Sequence, residues 1–541
     1  AGGGAGVGLG AAPGAAHRLG GPQAGGAQRW QQALWQQLSS CMDALHTPII
    51  AMWHLQRVLA KKRDPFTHVY FLDFVADETD DGNMLSKRVW REVVAVLETT
   101  LSAAYAGGSA VKEALVLGYP RLAALLDATF SRIMHDTDVK GVPSAVQRDD
   151  IFQLHQAADA FCSAYLSRTL TRLSDAVSTL FATGSRSPGH VASAGDIIKL
   201  TNLMKEELDS AMPDPRVTAL VANVVAQALK LLGEKCEYQM ASGPDARQVA
   251  SSCTPVQQRN MQLCNLLQEI HIQVAGFASM LPATSAERLN SAVAGLDSIA
   301  HESLTPLFKA ITERLEHTLL QMHEEAFGSA TASTTTIRSK YMDEVVKVLA
   351  YFNTEFLAQV PPFAGSAGSP KFHIISPMTH KVASRVLELF VRHASLVRPL
   401  SESGKLRLAK DMAELELAVG QSLYPVEQLG SAYRALRAFR PLLFLETAQV
   451  PTSSLIQELP VSVALHHLYS RATQSLVSPH GRAGLTAGQY SLWMDQHKEE
   501  DIWRGIKGTL DAYAKSVKTS GAEVDSVYDV MLNLGSLVRR T

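Results

Sequence analysis

Histidine next to glutamate is the first pairing in this sequence that could do chemistry, because imidazoles and carboxylates hold metal ions and move protons. His301-Glu302 and His323-Glu324 both lack the second histidine of a zinc-hydrolase helix. His317 and His323 are six residues apart, which puts them on different faces of a helix. His466 and His467 are adjacent, so their side chains diverge by about a hundred degrees. His393 falls on an apolar helical face, the setting of a satisfied, buried histidine. Gly6-Val7-Gly8-Leu9-Gly10 has the glycines of a dinucleotide loop but no strand before it. There is no Walker loop and no H-E-x-x-H. These residues predict no catalytic residue, no metal site and no cofactor.

Two groups of cations remain. Arg434, Arg437 and Arg440 recur every three residues with no acidic residue within one turn. Arginine bonds carboxylates in a bidentate way, so the three are candidates for contact with an acidic segment of a partner. Lys61, Lys62 and Arg63 follow a helical run. They fit either as cations near a helix C-terminus or as a contact for an acidic partner or lipid. Arg385, Glu388 and Arg392, at i, i+3 and i+7, read as ordinary pairing along a helix surface.

The elements that position these residues are helices. Lys381–Glu446 is the most strongly patterned stretch, with ten Lys/Arg and seven Asp/Glu. Val386, Leu389, Phe390, His393 and Val397 follow helical spacing up to Pro399. Leu408, Met412, Leu415 and Val419 form a second stripe, with Gly420 expected as its C-terminal cap. Val426, Leu429, Tyr433, Leu436 and Phe439 form a third, up to Pro441. Each of the three is expected to bury one face and show the other. Elsewhere the spacing predicts helices over 84–105, 109–117, 122–134, 151–181, 195–212, 215–237, 255–280, 285–300, 304–327 and 340–360. More follow within 455–475, 490–497, 502–517 and 524–538. An N-terminal stripe from Trp30 is expected to break at Pro48. No alternating β-branched run is long enough to build a sheet.

At 541 residues the chain exceeds one growing core, and 46% hydrophobic against 19% charged residues lets most of it pack. The expected organisation is a disordered Gly/Ala-rich segment (1–28), an N-terminal bundle (29–181), a middle bundle (182–360), a linker (361–370) and a C-terminal bundle (371–541). A formal net charge of −2 gives no global reason to bind nucleic acid. Five scattered cysteines without a C-x-x-C pair argue against a disulfide framework and for a reducing setting. No uninterrupted apolar run approaches the roughly 20 residues that span a bilayer.

Particular runs also carry a resemblance. FVRHASLVRPL (390–400), GKLRLA (404–409), ELELAVG (414–420) and YRALRAFRPLLF (433–444) resemble the conserved oligomeric Golgi complex subunit 5 family. Val58–Pro65 and Ala164–Leu173 resemble it too, in the same order. The resemblance implies an all-α chain, an elongated rod of consecutive helical bundles, without enzymatic activity. It implies peripheral attachment to the cytosolic side of the Golgi membrane. The implied work is tethering vesicles in retrograde intra-Golgi transport, which maintains glycosylation. Implied partners are subunit 7, subunits 6 and 8, and, through the complex, SNAREs and Rab GTPases. The family has a further helical region, coiled-coil in character, ahead of the part matched. The chain begins at Ala1 and is therefore expected to be a truncated form. Two other classes remain beside this one. One is a peripheral membrane-binding adaptor using Lys61-Lys62-Arg63; the other is an enzyme with a helical fold.

Overall fold

A computed structural model of the chain describes residues 24–75, 85–107, 110–181, 192–328, 339–360, 374–521 and 523–537. The expected linker 361–370 lies outside the described residues, as do 1–23, 182–191 and 329–338 of the Gly-, Ser- and Ala-rich stretches. Among the described residues there is no β-strand. Two isolated bridges occur, Arg63 with Tyr70 and Val139 with Val142. The all-α expectation therefore holds. The chain divides into two compact units.

The first unit comprises Ala1–Leu173 and Met204–Val225. Its helices are α1 (Ala24–Leu59), α2 (Phe71–Val75), α3 (Leu85–Ala106), α4 (Ala110–Leu117), α5 (Tyr119–Asp136) and α6 (Arg148–Ala157). Parts of α7 (Asp159–Leu180), α8 (Ala194–Ala211) and α9 (Pro215–Gln239) complete it. Its core is aromatic. Trp53, Tyr119 and Phe161 are almost wholly buried, and Trp53 Nε1 donates to the Pro143 carbonyl at 2.9 Å. A polar network lies within it. His155 approaches Asp127 at 2.8 Å, and Arg216 donates to the Tyr119 hydroxyl at 2.7 Å.

Three expectations change here. Residues 24–28, expected to be disordered, are helical, because α1 starts at Ala24. Pro48 does not break α1. Ile49 and Trp53 just beyond it are buried, and their burial offsets the lost backbone bond. The single helix expected over 151–181 is two, α6 and α7. They part at the fully buried Ala158, where Ala158 N and Phe161 N make tighter i to i+3 bonds.

The second unit comprises Ser174–Leu203 and Ala226–Thr541. After the rest of α7–α9 come α10 (Pro244–Arg247), α11 (Pro255–Ala278), α12 (Ala283–Leu320) and α13 (Lys340–Glu355). Next are α14 (Ser376–Leu396), α15 (Glu402–Ser422), α16 (Ser431–Leu442) and α17 (Val461–Tyr469). The last are α18 (Pro479–Ala483), α19 (Ala487–Asp495), α20 (Glu499–Ser520) and α21 (Ser526–Gly535). α11 and α12 form a long antiparallel pair, and α12 also packs against α13 and α14.

α14 sits at the centre, against α12, α16, α17 and α19. Its buried face is wide: Val386, Leu387, Leu389, Phe390, Val391, His393 and Ala394 are all buried, while Lys381 and Glu388 are exposed and Arg385 and Arg392 half-buried along the other face, as expected of an amphipathic helix. α15 runs past Gly420 to Ser422, so Gly420 is not a cap. Its N-terminus is capped instead by Ser401, whose hydroxyl accepts from Gly404 N at 3.1 Å. Gly404 is required there, since a Cβ would meet the Phe327 carbonyl oxygen at 2.2 Å. The third stripe is split. A 3-10 turn at Val426–Gln428 precedes α16, and Gly430 supplies the positive φ of 58° that separates them. Residues 285–320, expected as two helices, belong to α12 alone. Pro306 lies inside it, and the buried Leu304, Leu307 and Phe308 carry the apolar stripe across.

α9 is the one helix among the described residues long and apolar enough to cross a membrane by length and composition. Its apolar window is 56% buried, so packing within the fold accounts for the composition.

Candidate partner-binding surface

α16 presents the arginine series. Arg434 and Arg437 are exposed and Arg440 is half-buried. The acidic partners that are missing within one turn come from elsewhere in the chain. Arg434 Nε donates to Glu458 at 2.8 Å, and Arg440 donates to Glu416 at 2.7 Å. Glu416 on α15 also accepts from the Tyr433 hydroxyl at 2.5 Å. Burial alone would raise the Glu416 carboxyl. The bonds from Tyr433 and Arg440 outweigh it and hold the group below its ordinary value. The same bond to Glu416, with burial, raises the Tyr433 phenol. Arg437 is left over the Tyr433 ring, 5.8 Å from its centroid, and has no carboxylate partner among the described residues. Of the three arginines expected to be unpaired, the structure leaves one.

Beside α16 lies an open groove of about 540 Å³, bordered by α14, α17, α19 and α20. Arg392, Arg434, Glu388, Glu458, Asp495 and Glu499 line it. Most of these charges are already engaged. Arg385 makes a two-pronged pair with Asp495, and Arg392 donates to the same carboxylate at 2.5 Å. Together the two outweigh the burial of Asp495 and hold its carboxyl below the ordinary range. Glu499 accepts from Ser462 N and Oγ at 2.9 and 2.6 Å. The expected Arg385–Glu388–Arg392 pairing is thus replaced by a clamp on Asp495, more than a hundred residues away in sequence.

His393, His466 and His467 are core residues and His323 is half-buried beside them, whereas His301 is half-buried and His317 exposed. His393 is fully buried, and its Nδ1 lies 3.2 Å from His323 Nε2. Burial first, then the neighbouring His323, pushes His393 down to about 3; burial, then His480, brings His323 to about 4. His466 contacts the Ser462 carbonyl and the Tyr490 hydroxyl, at 2.6 and 3.0 Å. His467 lies beside Arg471, 3.1 Å away. Burial brings both His466 and His467 to about 3. These imidazoles are neutral and enclosed. Among the described residues no three His, Cys, Asp or Glu side chains are grouped to hold a metal ion.

Lys61, Lys62 and Arg63 lie just past the end of α1 and are exposed. Arg63 stacks over the Tyr70 ring, 4.2 Å from its centroid, and bonds the Tyr70 hydroxyl. Reading the cations alone missed what surrounds them. Phe66, Phe71 and Phe74 are exposed large aromatics. The signal was present as the run Phe71-Leu72-Asp73-Phe74, apolar but too short to reach a core.

Residues 15–130 match a family model described as conserved oligomeric Golgi complex subunit 5, C-terminal. Relatives carry the similarity along the rest of the chain. Conserved oligomeric Golgi complex subunit 5 of Arabidopsis thaliana is 44% identical over 533 residues, 98% of this chain and 64% of that one. The Mus musculus protein of the same name is 29% identical over 548 residues, 95% of this chain and 64% of its own length. The chain thus spans just under two thirds of the length of either relative. The C-terminal domain of the exocyst subunit Sec6p aligns with a TM-score of 0.41 and 8% identity, over 71% of this chain and 96% of that one. That likeness is too distant to argue from.

Proposed function

We propose, from its similarity to conserved oligomeric Golgi complex subunit 5, that the chain is a non-enzymatic subunit of a Golgi vesicle-tethering complex. The identity of 44% across 98% of the chain is the observation that carries this reading. The proposed role is in retrograde intra-Golgi transport, and so in maintaining glycosylation. The chain works there as a peripheral protein on the cytosolic side of the membrane. Its partners are subunit 7, with subunits 6 and 8, and SNAREs and Rab GTPases reached through the assembly.

The physical work of such a subunit is adhesive. Packed helices give a stiff support, and exposed charged faces take partner helices. Within the arginine series, Arg437 is the group best placed to meet an acidic partner, since its guanidinium is exposed and has no carboxylate of its own. Affinity purification from cells, with identification of the co-purifying chains, tests the whole reading. Other subunits of the Golgi complex should be recovered, and Arg434→Glu with Arg437→Glu should reduce their yield without loss of helicity. Recovery of no other subunit would overturn the function. Unchanged recovery with the double variant would remove the arginines from it.

A further inference from the structure

Past the end of α1 the chain folds back on itself. Phe71 N donates to the Lys62 carbonyl at 3.0 Å, and Asp64 N donates to that of Val69 at 2.9 Å. The Asp64 carboxylate accepts from the Thr67 hydroxyl at 2.6 Å and from the amides of Thr67 and Phe66 at 3.2 and 3.3 Å. The hydroxyl bond first, then the Phe66 amide, holds the Asp64 carboxyl below its ordinary value. The next residue, His68, takes a positive φ of 58°. These local bonds define a finger that needs no partner to hold its form.

The finger is apolar on the outside. Phe66 at its tip is 91% exposed, and α2, which follows, has no buried residue at all. Phe71, Phe74 and Val75 of α2 are exposed, as are Leu55 and Val58 at the end of α1. This many exposed apolar side chains within one short segment of a folded protein mark a contact. Phe66 lies in no groove, since almost none of its side chain touches protein. Lys61, Lys62 and Arg63 adjoin the aromatics in the same segment, and the carboxylate of Asp64 beside them is taken up by the turn.

The geometry points to a phospholipid surface as the occupant. Phe66, Phe71 and Phe74 enter the interfacial layer, and Lys61, Lys62 and Arg63 pair with headgroup phosphates. A convex aromatic tip adjoined by cations suits a deformable, phosphate-bearing surface better than it suits a partner helix, which needs a groove. Asp73, and then Asp77, Glu78, Asp80 and Asp81, follow in sequence, so net attraction to an anionic membrane is small. Aromatic insertion therefore carries most of the binding, and the cations orient it.

The test is flotation of the whole chain with phosphatidylcholine vesicles, with and without phosphatidylserine. The chain should float with both, and salt should weaken binding without abolishing it. Phe66→Ser with Phe74→Ser should lower partitioning about tenfold or more. Lys61→Ala, Lys62→Ala and Arg63→Ala together should lower it less. Both aromatics are exposed, so circular dichroism should be unchanged in the double variant. A chain that stays unbound in both compositions would overturn the inference. So would an aromatic variant that floats like the parent; the finger would then be a docking element for protein. The contact needs no partner subunit, so its failure leaves the assembly reading standing.

Discussion

The bundle around α14 and the finger at Lys61–Val75 both combine apolar side chains with clustered cations, and they use them in opposite ways. Around α14 the apolar residues are enclosed, and the arginines find carboxylates. Arg385 and Arg392 meet on Asp495, and Arg440 meets Glu416. In the finger the aromatics stay outside, and Lys61 and Lys62 have no carboxylate partner among the described residues. The difference is one of context. A helix packed against several neighbours can complete its charges internally. A short excursion past a helix end has no second layer to pack against.

Three measurements can break or sharpen that contrast. The largest effect is expected from Phe390→Ala, which empties a fully buried ring position in α14. It should destabilise the unit by about 3–5 kcal/mol in urea unfolding, whereas Phe66→Ala should change stability by less than about 0.5 kcal/mol. Comparable losses at both positions would erase the distinction.

Next comes acid sensitivity. His393, His466 and His467 are held near 3 and His323 near 4, against an ordinary 6.5 that each recovers on unfolding. The unfolded chain therefore takes up protons first. The stability these groups contribute is complete above pH 6.5 and is lost as the pH falls toward 3. Each of the four therefore weakens the fold further as the pH falls below 6.5. Asp411, pushed up to about 6 by burial, and Asp214, also raised by burial, work the other way, while the lowered carboxyls of Asp495 and Glu416 act with the histidines. The thermal midpoint should fall steadily on acidification from pH 6.5. A His393→Gln variant should fall less steeply, and an unchanged slope would show that the histidines do not govern it.

The smallest effects belong to the surface pairs. Glu416→Gln, which weakens the half-buried bond to Arg440 and Tyr433, should lower stability by about 1 kcal/mol. Arg434→Ala, whose pair with Glu458 is about half exposed on both sides, should stay within about 0.5 kcal/mol. The reverse ranking in thermal melts would mean that the arginine series is held by the fold rather than free for a partner.

Most of the helices were legible from period alone. α3, α4, α8, α9 and α11 fall within a residue or two of their expected ends, because each bears a continuous apolar stripe between clear breakers. Apparent breaks misled. Pro48 and residues 301–303 read as stops, yet the helices continue, since buried neighbours on either side hold each apolar stripe together. Charge pairing was legible only where it is local. Asp495 as the partner of Arg385 and Arg392, and Glu416 as that of Arg440, depend on which helices become neighbours, which spacing along the chain does not encode. The exposed aromatics of the finger were missed for a related reason. Apolar residues in a short run look the same in sequence whether or not a core is near enough to receive them.

The continuity of α12 has a mechanical consequence. Thirty-eight residues of uninterrupted helix make a strut about 57 Å long. A pull on one end is carried along the helix toward the other. The one place built to yield is at Pro306, which has no N–H to offer the Glu302 carbonyl, so bending strain concentrates there. Under load the helix should flex first at that residue, with the buried Leu304, Leu307 and Phe308 limiting the bend.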